Sequence, residues 1–325
     1  MILVVSYPEE DHTDAVVRRL EGAGRDVVRI DLADFPARAP VALAWQNGGG
    51  ESFEIETPRG PVDVARARVV WWRRVRGFDV AASITTPQAR VFAESETGQA
   101  INGMLDALSC PWVNPRQADA AAHHKPYQWS VARALGLRLP QTLVTTKPEA
   151  AREFIGRIGV GKTVFKAFLA SIEDWRETRL VERDDLDKLE LVRYAPVIFQ
   201  EYVEGVDLRI TVVGSDIFAA EIDARKTSYP VDMRMSIGEG TFRPVELPPA
   251  VARAVRRLQR RLNLDYGAID MRRTDAGEHV FLEVNPAGQW MFVEQRTGLP
   301  ISAAMASHLG ALADRPPRKG RGDST

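Results

Sequence analysis

The stretch DYGAIDMRRTDAGEHVFLEVNPAGQW, residues 265–290, decides the fold of this chain. Tyr266–Arg272 has the pattern of a strand, and the polar residues Thr274–Gly277 follow it as a turn. His279–Val284 then has the pattern of a return strand. The sequence therefore predicts a β-hairpin in this part of the chain.

The oxygen-bearing side chains of this hairpin are expected to converge. Side chains alternate along a strand, so Phe281, Glu283 and Asn285 should share one face while Leu282 points to the other. If the two strands pair antiparallel, Asp270 lies opposite the same end of the return strand. Two carboxylates and one amide oxygen would then occupy one small volume.

Two interpretations of these oxygen atoms stay open from the residues alone. Acids that face each other repel, and burying them is costly unless a cation lies between them or one holds a proton. Magnesium selects oxygen ligands, keeps bound water and takes further ligands from phosphates. The hairpin is thus compatible with a metal–phosphate platform, and equally with a surface hairpin whose acids face water.

Length and composition limit the classes of protein to consider. The chain has 325 residues, which favours two or three subdomains, and 45% apolar with 27% charged residues is typical of soluble globular proteins. The net charge of −1 gives no global field that would attract nucleic acid or an anionic membrane. We therefore expect neither nucleic acid nor a membrane as a partner.

The cysteine count and the N-terminal sequence indicate the compartment. The single cysteine, Cys110, can form neither an internal disulfide nor a multi-cysteine metal site. No apolar run reaches the length of a membrane-spanning helix. Met1–Tyr7 begins with a strand pattern and has no signal-peptide features, so a cytoplasmic location is expected.

The first part of the chain has the pattern of a small α/β domain. Apolar strand patterns at Met1–Val5 and Asp26–Ile30 flank a helical pattern at Asp11–Ala23, which predicts a β-α-β unit. No glycine-rich phosphate loop follows the first strand, where Ser6–Glu10 stands instead, so a dinucleotide-binding domain is disfavoured. Pro36–Gly50 is expected to be a loop.

Two features of the later part could serve a ligand. Lys166 lies in an apolar strand pattern, where a cation needs a partner, and that partner could be a glutamate of the protein or a phosphate. Glu204–Gly205 joins two strand patterns, and such a linker can present main-chain groups and carboxylates to a flat ligand.

Several short motifs occur in the order found in the ATP-grasp superfamily of carboxylate–amine ligases. These motifs are Asn114–Pro115, Lys125, Lys166, Gln200–Val203, Asp207–Arg209, and Asp270 with Glu283 and Asn285. The residues around them resemble the microviridin-type synthetases, ribosomal-peptide maturases that make graspetides. The points of likeness are VWWRR at 70–74, KPYQW at 125–129, LPQTLVT at 139–145, FLEVNPAGQW at 281–290 and EQRTGLPI at 294–301.

The resemblance covers roughly residues 111–313 and implies a fold. It implies an α/β (α+β) ATP-grasp fold in which residues 1–115 form an N-terminal pre-ATP-grasp α/β domain. Residues 116–199 would form a central subdomain and residues 200–313 a C-terminal subdomain with the metal site, with ATP held between the two. Residues 314–325 are expected to be a disordered tail.

The resemblance also implies roles for individual residues. Lys125 and Lys166 resemble the lysines that hold the nucleotide phosphates, and Asp207 the acid that contacts the ribose. The implied adenine-binding hinge, whose main chain reads the base, consists of Gln200, Glu201, Tyr202 and Val203. The implied ligands of two Mg²⁺ ions that bridge ATP are Asp270, Glu283 and Asn285. The implied catalytic arginines, which contact the γ-phosphate and the acyl phosphate, are Arg209, Arg225 and Arg234.

The function implied by the resemblance is ATP-dependent activation of a carboxylate through an acyl phosphate. A side-chain ester or amide would then close a ring in a ribosomally made precursor peptide. A ligase that joins an amino acid to a small acid or a protein C-terminus is an alternative, and a non-catalytic nucleotide-binding regulator is another.

The implied partners are a precursor peptide, with leader and core, and a second copy of the chain in a homodimer. Ser171–Arg193 is the candidate segment for contact with the leader, with Trp175, Arg176 and Arg179 as anchors. A structural insertion that covers the central sheet is the alternative for this segment.

Overall fold

The computed structural model describes residues 1–47, 50–57, 60–168, 178–229, 231–236 and 238–316. These residues divide into two units. The first unit contains Met1–Asp119 and the described residues from Pro300 onward, and the second contains Ala120–Leu299. The finer division of residues 116–313 at position 200 stays a prediction.

The first unit is built on a parallel sheet. Its elements up to residue 122 are β1 (Ile2–Val5), α1 (Asp11–Gly22), β2 (Val27–Ile30), β3 (Val41–Gln46), β4 (Gly50–Thr57), β5 (Gly60–Asp63), β6 (Val69–Trp72), α2 (Pro87–Ala107), β7 (Trp112–Val113) and α3 (Arg116–Ala122), with short 3₁₀ segments at Leu32–Asp34 and Val64–Arg66. The sheet has the order β2-β1-β6-β7. The core packs Leu3, Val5 and Val70 against Ile101 and Met104 of α2. The predicted β-α-β unit is therefore confirmed.

The expectation of a loop at residues 36–50 is wrong for Val41–Gln46, which form β3, and for Gly50, where β4 begins. β3 pairs antiparallel with β4, and β4 pairs with β5, to form a separate sheet. Trp45 of β3 packs on Phe53 of β4 with 5.5 Å between ring centroids. Most side chains of β3 stay exposed, so its sequence lacks the apolar alternation that would have indicated a strand.

The second unit contains two antiparallel sheets. Its elements are α4 (Lys125–Ala134), β8 (Thr142–Thr145), α5 (Pro148–Ile158), β9 (Thr163–Lys166), β10 (Arg179–Leu180), a 3₁₀ segment (Arg183–Tyr194), β11 (Val197–Glu201), β12 (Val206–Val213), β13 (Asp216–Asp223), a 3₁₀ turn (Met233–Ser236), β14 (Thr241–Pro244), α6 (Pro249–Leu262), β15 (Tyr266–Arg273), β16 (His279–Asn285) and α7 (Met291–Thr297). The sheets have the orders β10-β9-β11-β8 and β14-β13-β12-β15-β16. A short linker, residues 202–205, joins the two sheets between β11 and β12.

Local sequence explains where the helices of this unit begin and end. α5 starts with Pro148, whose fixed φ suits a first helical turn, and stops at Gly159, which has a φ of 114°. Its apolar residues Ala151, Phe154 and Ile155 are buried in one cluster with Phe199 of β11. This packing fixes β11, the strand that leads into the linker.

The last helix, α8 (Ile301–Asp314), belongs to the first unit. Ile301, Met305 and Leu309 are fully buried, and α8 packs against α1, β1 and β6. Arg25 donates to Asp314 at 2.5 and 2.8 Å, which fixes the end of this helix. The sequence analysis had placed these residues in the 200–313 subdomain, because the chain order gives no sign that an apolar helix returns to the first unit.

The remaining expectations about organisation concern the tail and the membrane. Residues 317–325, most of the expected tail, lie outside the described residues. None of the helices in the described ranges combines the length and the apolar run that crossing a membrane requires.

Candidate functional site

The hairpin of β15 and β16 brings the predicted carboxylates together. The strands pair antiparallel as predicted, and Asp270 lies directly opposite Glu283. The register then shifts, so that Met271 pairs with Phe281 and Leu282 is the extra residue of a β-bulge. Such bulges occur next to functional sites, where they redirect side chains.

The bulge corrects the expected distribution of side chains on β16. Phe281 was expected beside Glu283, but Phe281 is fully buried and does not line the pocket described below. Leu282 was expected on the other face, and it lines that pocket together with Glu283. Asn285 pairs with Ala268, is exposed, and accepts a hydrogen bond from the amide of Ala287 at 2.9 Å.

Cations compensate both carboxylates of the hairpin. Burial raises the pKa of Asp270, and the Glu283 charge raises it further, while Arg209 opposes the shift through bonds of 2.8 and 3.0 Å. Burial also works against ionised Glu283, but the charge of Lys125, which donates to it, and of Lys166 holds its pKa well below the usual range. The two acids therefore differ in protonation preference although they are neighbours.

The chemistry of these donors fits magnesium. The described part of the chain contains no group of three histidine, cysteine or acidic side chains that could hold a metal, and the predicted set has two carboxylates and one amide. Asp270, Glu283 and Asn285 supply only oxygen atoms, and magnesium completes such a set with water and phosphate oxygens. A bound cation would take over from Lys125 and Arg209 the neutralisation of the two acids.

A pocket gathers most of the residues that the sequence analysis selected. The predicted site residues that line it are Lys125, Lys166, Gln200, Glu201, Tyr202, Val203, Asp207, Arg234, Asp270 and Glu283. Apolar side chains complete the wall, among them Val164, Leu208, Met271 and Leu282. The pocket wall therefore combines apolar side chains with the cations Lys125, Lys166, Arg234 and Arg272.

The linker after β11 presents main-chain groups to this pocket. Gln200 donates to Thr142 at 2.8 Å and the Glu201 carboxylate accepts from the Gln141 amide at 3.1 Å, so these two side chains are occupied by β8. Burial raises the pKa of Asp207 to about 6, although Arg272 opposes this at 3.0 Å. The main-chain amides of Glu201 and Tyr202 donate to the carbonyls of Gln141 and Lys162, both at 2.8 Å, so the role of this segment as an adenine-binding hinge stays a prediction.

The three predicted catalytic arginines occupy different surroundings. Arg209 is buried and donates to Asp270 and to the carbonyl of Gln289 at 2.9 Å. Arg234 lines the pocket and is held by Asp232 at 2.8 and 2.5 Å. Arg225 is exposed, bonds Asp223 and Asp275, and does not line the pocket.

Two charged residues of the pocket were not selected from the sequence. Asp232 is buried, orients Arg234, and accepts from the amide of Thr178 at 3.1 Å. Arg272 is buried and pairs with Asp207. Asp232 could have been found from the sequence, because it is an acid two residues before Arg234. Nothing in the sequence distinguishes Arg272 from Arg273, its neighbour at the end of β15.

Lys166 tests whether the pocket binds phosphate. Burial lowers the pKa of Lys166, as do Lys125 and Arg234, and Lys166 forms no ion pair with any acid of the described ranges. We expect Lys166→Ala to weaken ATP binding at least about tenfold, because a charge-assisted hydrogen bond to phosphate is lost. Isothermal titration with Mg-ATP measures this, and Lys162→Ala, at an exposed position just before β9, is the matched control. Unchanged affinity would mean that Lys166 serves a protein acid instead.

Known proteins match both units of the chain. Residues 1–120 match the MvdD pre-ATP grasp domain, and residues 122–309 match the RimK-like ATP-grasp domain. The macrocyclase MdnC of Microcystis aeruginosa, solved with its precursor peptide MdnA, is 30% identical, with 95% of this chain and 99% of that chain covered and a TM-score of 0.83. A RiPP-associated ATP-grasp ligase of Chryseobacterium gregarium, solved with ADP and a leader and core peptide, is 27% identical, with 98% of each chain covered and a TM-score of 0.87.

A curated relative is more distant and only partly covered. The D-alanine–D-alanine ligase of Aquifex aeolicus is 26% identical over 200 residues, which span 57% of this chain and 66% of that ligase. ATP-grasp ligases related to this chain have been solved with Mg and ADP. The predicted ATP-grasp fold and the resemblance to peptide maturases are confirmed by these matches. The chain therefore belongs to the ATP-grasp ligases, with a RimK-like ATP-grasp domain that follows an MvdD-type pre-ATP-grasp domain.

Proposed function

We propose that this protein is an ATP- and Mg²⁺-dependent peptide macrocyclase. It activates an Asp or Glu side chain of a precursor peptide and closes a ring with a Thr, Ser or Lys side chain of the same peptide. The observation that carries this proposal is the near-complete match, at 30% identity, to a macrocyclase solved with its precursor. The convergence of Lys125, Lys166, Asp270 and Glu283 supports the nucleotide chemistry that the proposal needs.

The reaction begins by making a carboxylate into an acyl donor. A free carboxylate reacts poorly because its leaving group would be oxide. Transfer of the γ-phosphoryl group of ATP to the carboxylate gives an acyl phosphate and ADP, and the attack of a hydroxyl or amine then forms the ester or amide and releases phosphate. The protein must place two anions in line and neutralise their repulsion.

The side chains of the pocket divide this work. Lys125 and Lys166 hold the phosphates, Asp207 holds the ribose, and the main chain of the linker reads the adenine. When bound, magnesium neutralises phosphate charge and orients the transferring group. In this proposal there are two magnesium ions, which Asp270, Glu283 and Asn285 would hold. Arg234, held by Asp232, is placed to meet the charge that develops on the acyl phosphate, with Arg209 behind Asp270.

Other parts of the proposal rest on fewer contacts. The proposed role of Arg225 requires it to exchange its bonds with Asp223 and Asp275 for the phosphate. In the proposed leader segment, Trp175 and Arg176 lie outside the described residues, while Arg179 donates to Asp185 at 2.8 Å and lies over Phe165. The proposal also includes a cytoplasmic location and a substrate with a leader and a core. It further includes a homodimer, which sedimentation velocity would detect.

The test is a peptide assay read by mass spectrometry. The enzyme is incubated with Mg²⁺, ATP and a short peptide rich in Thr and Asp or Glu, sought in the reading frames beside its own, and with the MdnA precursor of the similar macrocyclase as a second candidate. We expect the peptide to lose the mass of one water for each ring and ADP to form in equal amount. A gain in mass would indicate ligation of a second molecule, and ATP binding without ADP formation would indicate a regulator; either result would contradict the proposal.

A further inference from the structure

The side chain of Arg272 joins the two parts of the pocket that the proposed reaction must coordinate. Its Nη1 donates to the Val203 carbonyl at 3.2 Å and to the Gly205 carbonyl at 3.4 Å, both in the linker. The same nitrogen lies 3.3 Å from the Tyr202 hydroxyl, and the guanidinium stacks over the Tyr202 ring. One side of this guanidinium therefore fixes the linker segment, whose residues Tyr202 and Val203 line the pocket.

The other side of Arg272 reaches the loop that carries Arg234. Its Nη2 donates to the Val231 carbonyl at 3.2 Å, directly before Asp232. Its Nε donates to Asp207 at 3.0 Å, which holds the guanidinium in the plane that allows both contacts. Asp232 in turn orients Arg234.

The chemistry of arginine is needed for this arrangement. A guanidinium presents five N–H donors in a rigid plane, whereas a lysine ammonium is a compact charge that cannot span two segments. Arg272 is buried, so its donors must be satisfied by protein groups, and the linker, the acid and the loop supply them.

We propose that Arg272 is a positioning residue that couples the adenine-binding linker to the Arg234 loop, so that one guanidinium sets both the nucleotide and the arginine that meets the acyl phosphate. This proposal rests on the proposed function, because it assigns Arg272 a part in ATP binding and phosphoryl transfer. If Arg272 had a purely structural role, its substitution would lower the stability of the protein but would leave the KM for ATP and kcat of the folded enzyme unchanged.

The central test is Arg272→Lys in the full-length enzyme. ATP turnover to ADP is measured with and without the precursor peptide, and ATP affinity is measured by titration. We expect the KM for ATP to rise about tenfold and kcat to fall about tenfold, since each change corresponds to the loss of about one charged hydrogen bond. Arg273→Lys is the matched control, since Arg273 is the next residue of β15 and its side chain pairs with Glu221 on β13, not with the linker carbonyls.

A double-mutant cycle separates coupling from simple damage. Asp232→Asn alone should lower kcat with little change in the KM for ATP, because it loosens Arg234. In the Arg272→Lys background the same change should lower kcat much less, since the loop has already been released. Additive effects of the two substitutions, or an Arg272→Lys enzyme with KM and kcat within about twofold of wild type, would overturn the proposal.

A milder variant keeps the test informative if Arg272→Lys does not fold. Tyr202→Phe removes only the hydroxyl that faces Nη1, and we expect a rise of about threefold in the KM for ATP with kcat unchanged. An unchanged KM would overturn the proposal. A wild-type enzyme that binds ATP but forms no cyclic peptide would refute the proposed function instead, and the titrations would still report on Arg272.

Discussion

Glu283→Gln is expected to lower the rate of phosphoryl transfer at least about 1,000-fold, the range seen when a charge-stabilising group of an active site is removed. Glu283 accepts a hydrogen bond from Lys125 and lies opposite Asp270 in the hairpin. It is one of the three proposed magnesium ligands. The amide keeps the shape of the side chain and can still accept from Lys125, but it carries no charge. ADP formation in the presence of the peptide, followed at saturating ATP, measures the loss.

The fold should tolerate this change, which makes the result interpretable. We expect the free energy of unfolding to change by no more than about 2 kcal/mol, since one hydrogen bond to a charged group is weakened. Glu278→Gln is the matched control, because Glu278 is exposed, lies just before β16 and pairs with Arg138. Near-normal turnover by Glu283→Gln would count against the metal assignment.

Gly205→Ala is expected to lower the stability of the second unit by about 3–5 kcal/mol, a size reserved for backbone strain combined with overpacking. Gly205 has a φ of 145°, a backbone conformation that residues with a side chain rarely adopt. A Cβ atom at this position would lie 2.2 Å from the carbonyl oxygen of Arg273 and 3.0 Å from Cα of Thr274, so backbone would have to move. The linker and β15 would separate at the point where they now touch.

Thermal unfolding measures this effect as a midpoint lower by about 10 °C for a unit of this size. Gly156→Ala is the control, because Gly156 lies in α5 with open space around it, and alanine there should stabilise the helix by up to about 1 kcal/mol. Equal midpoints for the two variants would show that the linker does not need the backbone conformation of glycine.

The sequence predicted the central hairpin because its signals are local. Polar turn residues at Thr274–Gly277 separate two strand patterns, and antiparallel pairing alone places Asp270 across from Glu283. The bulge at Leu282 depends on how β15 twists against β16, which a single strand pattern does not encode. The side-chain alternation expected for β16 is therefore wrong at Phe281 and Leu282, although the pairing of the acids is right.

Residues whose environment is made by distant segments could not be predicted. The buried side chain of Arg272 donates hydrogen bonds to linker carbonyls that lie some 70 positions earlier in the chain. Nothing in the sequence Met271–Arg273 indicates these contacts. The resemblance assigns Arg225 and Arg234 the same role, with Arg234 the less clear match, but Arg225 bonds Asp223 two residues away and stays outside the pocket, while Arg234 lines it.

The return of α8 to α1 has a consequence for biosynthesis. The first unit is encoded mostly by the first 119 residues, yet its last helix leaves the ribosome only after the whole second unit has been made. At about 5–20 residues per second, the surface of α1 that α8 will cover is bare for roughly ten seconds or longer. The nascent chain thus carries an apolar surface that must be kept from aggregating until residues 301–314 have been made.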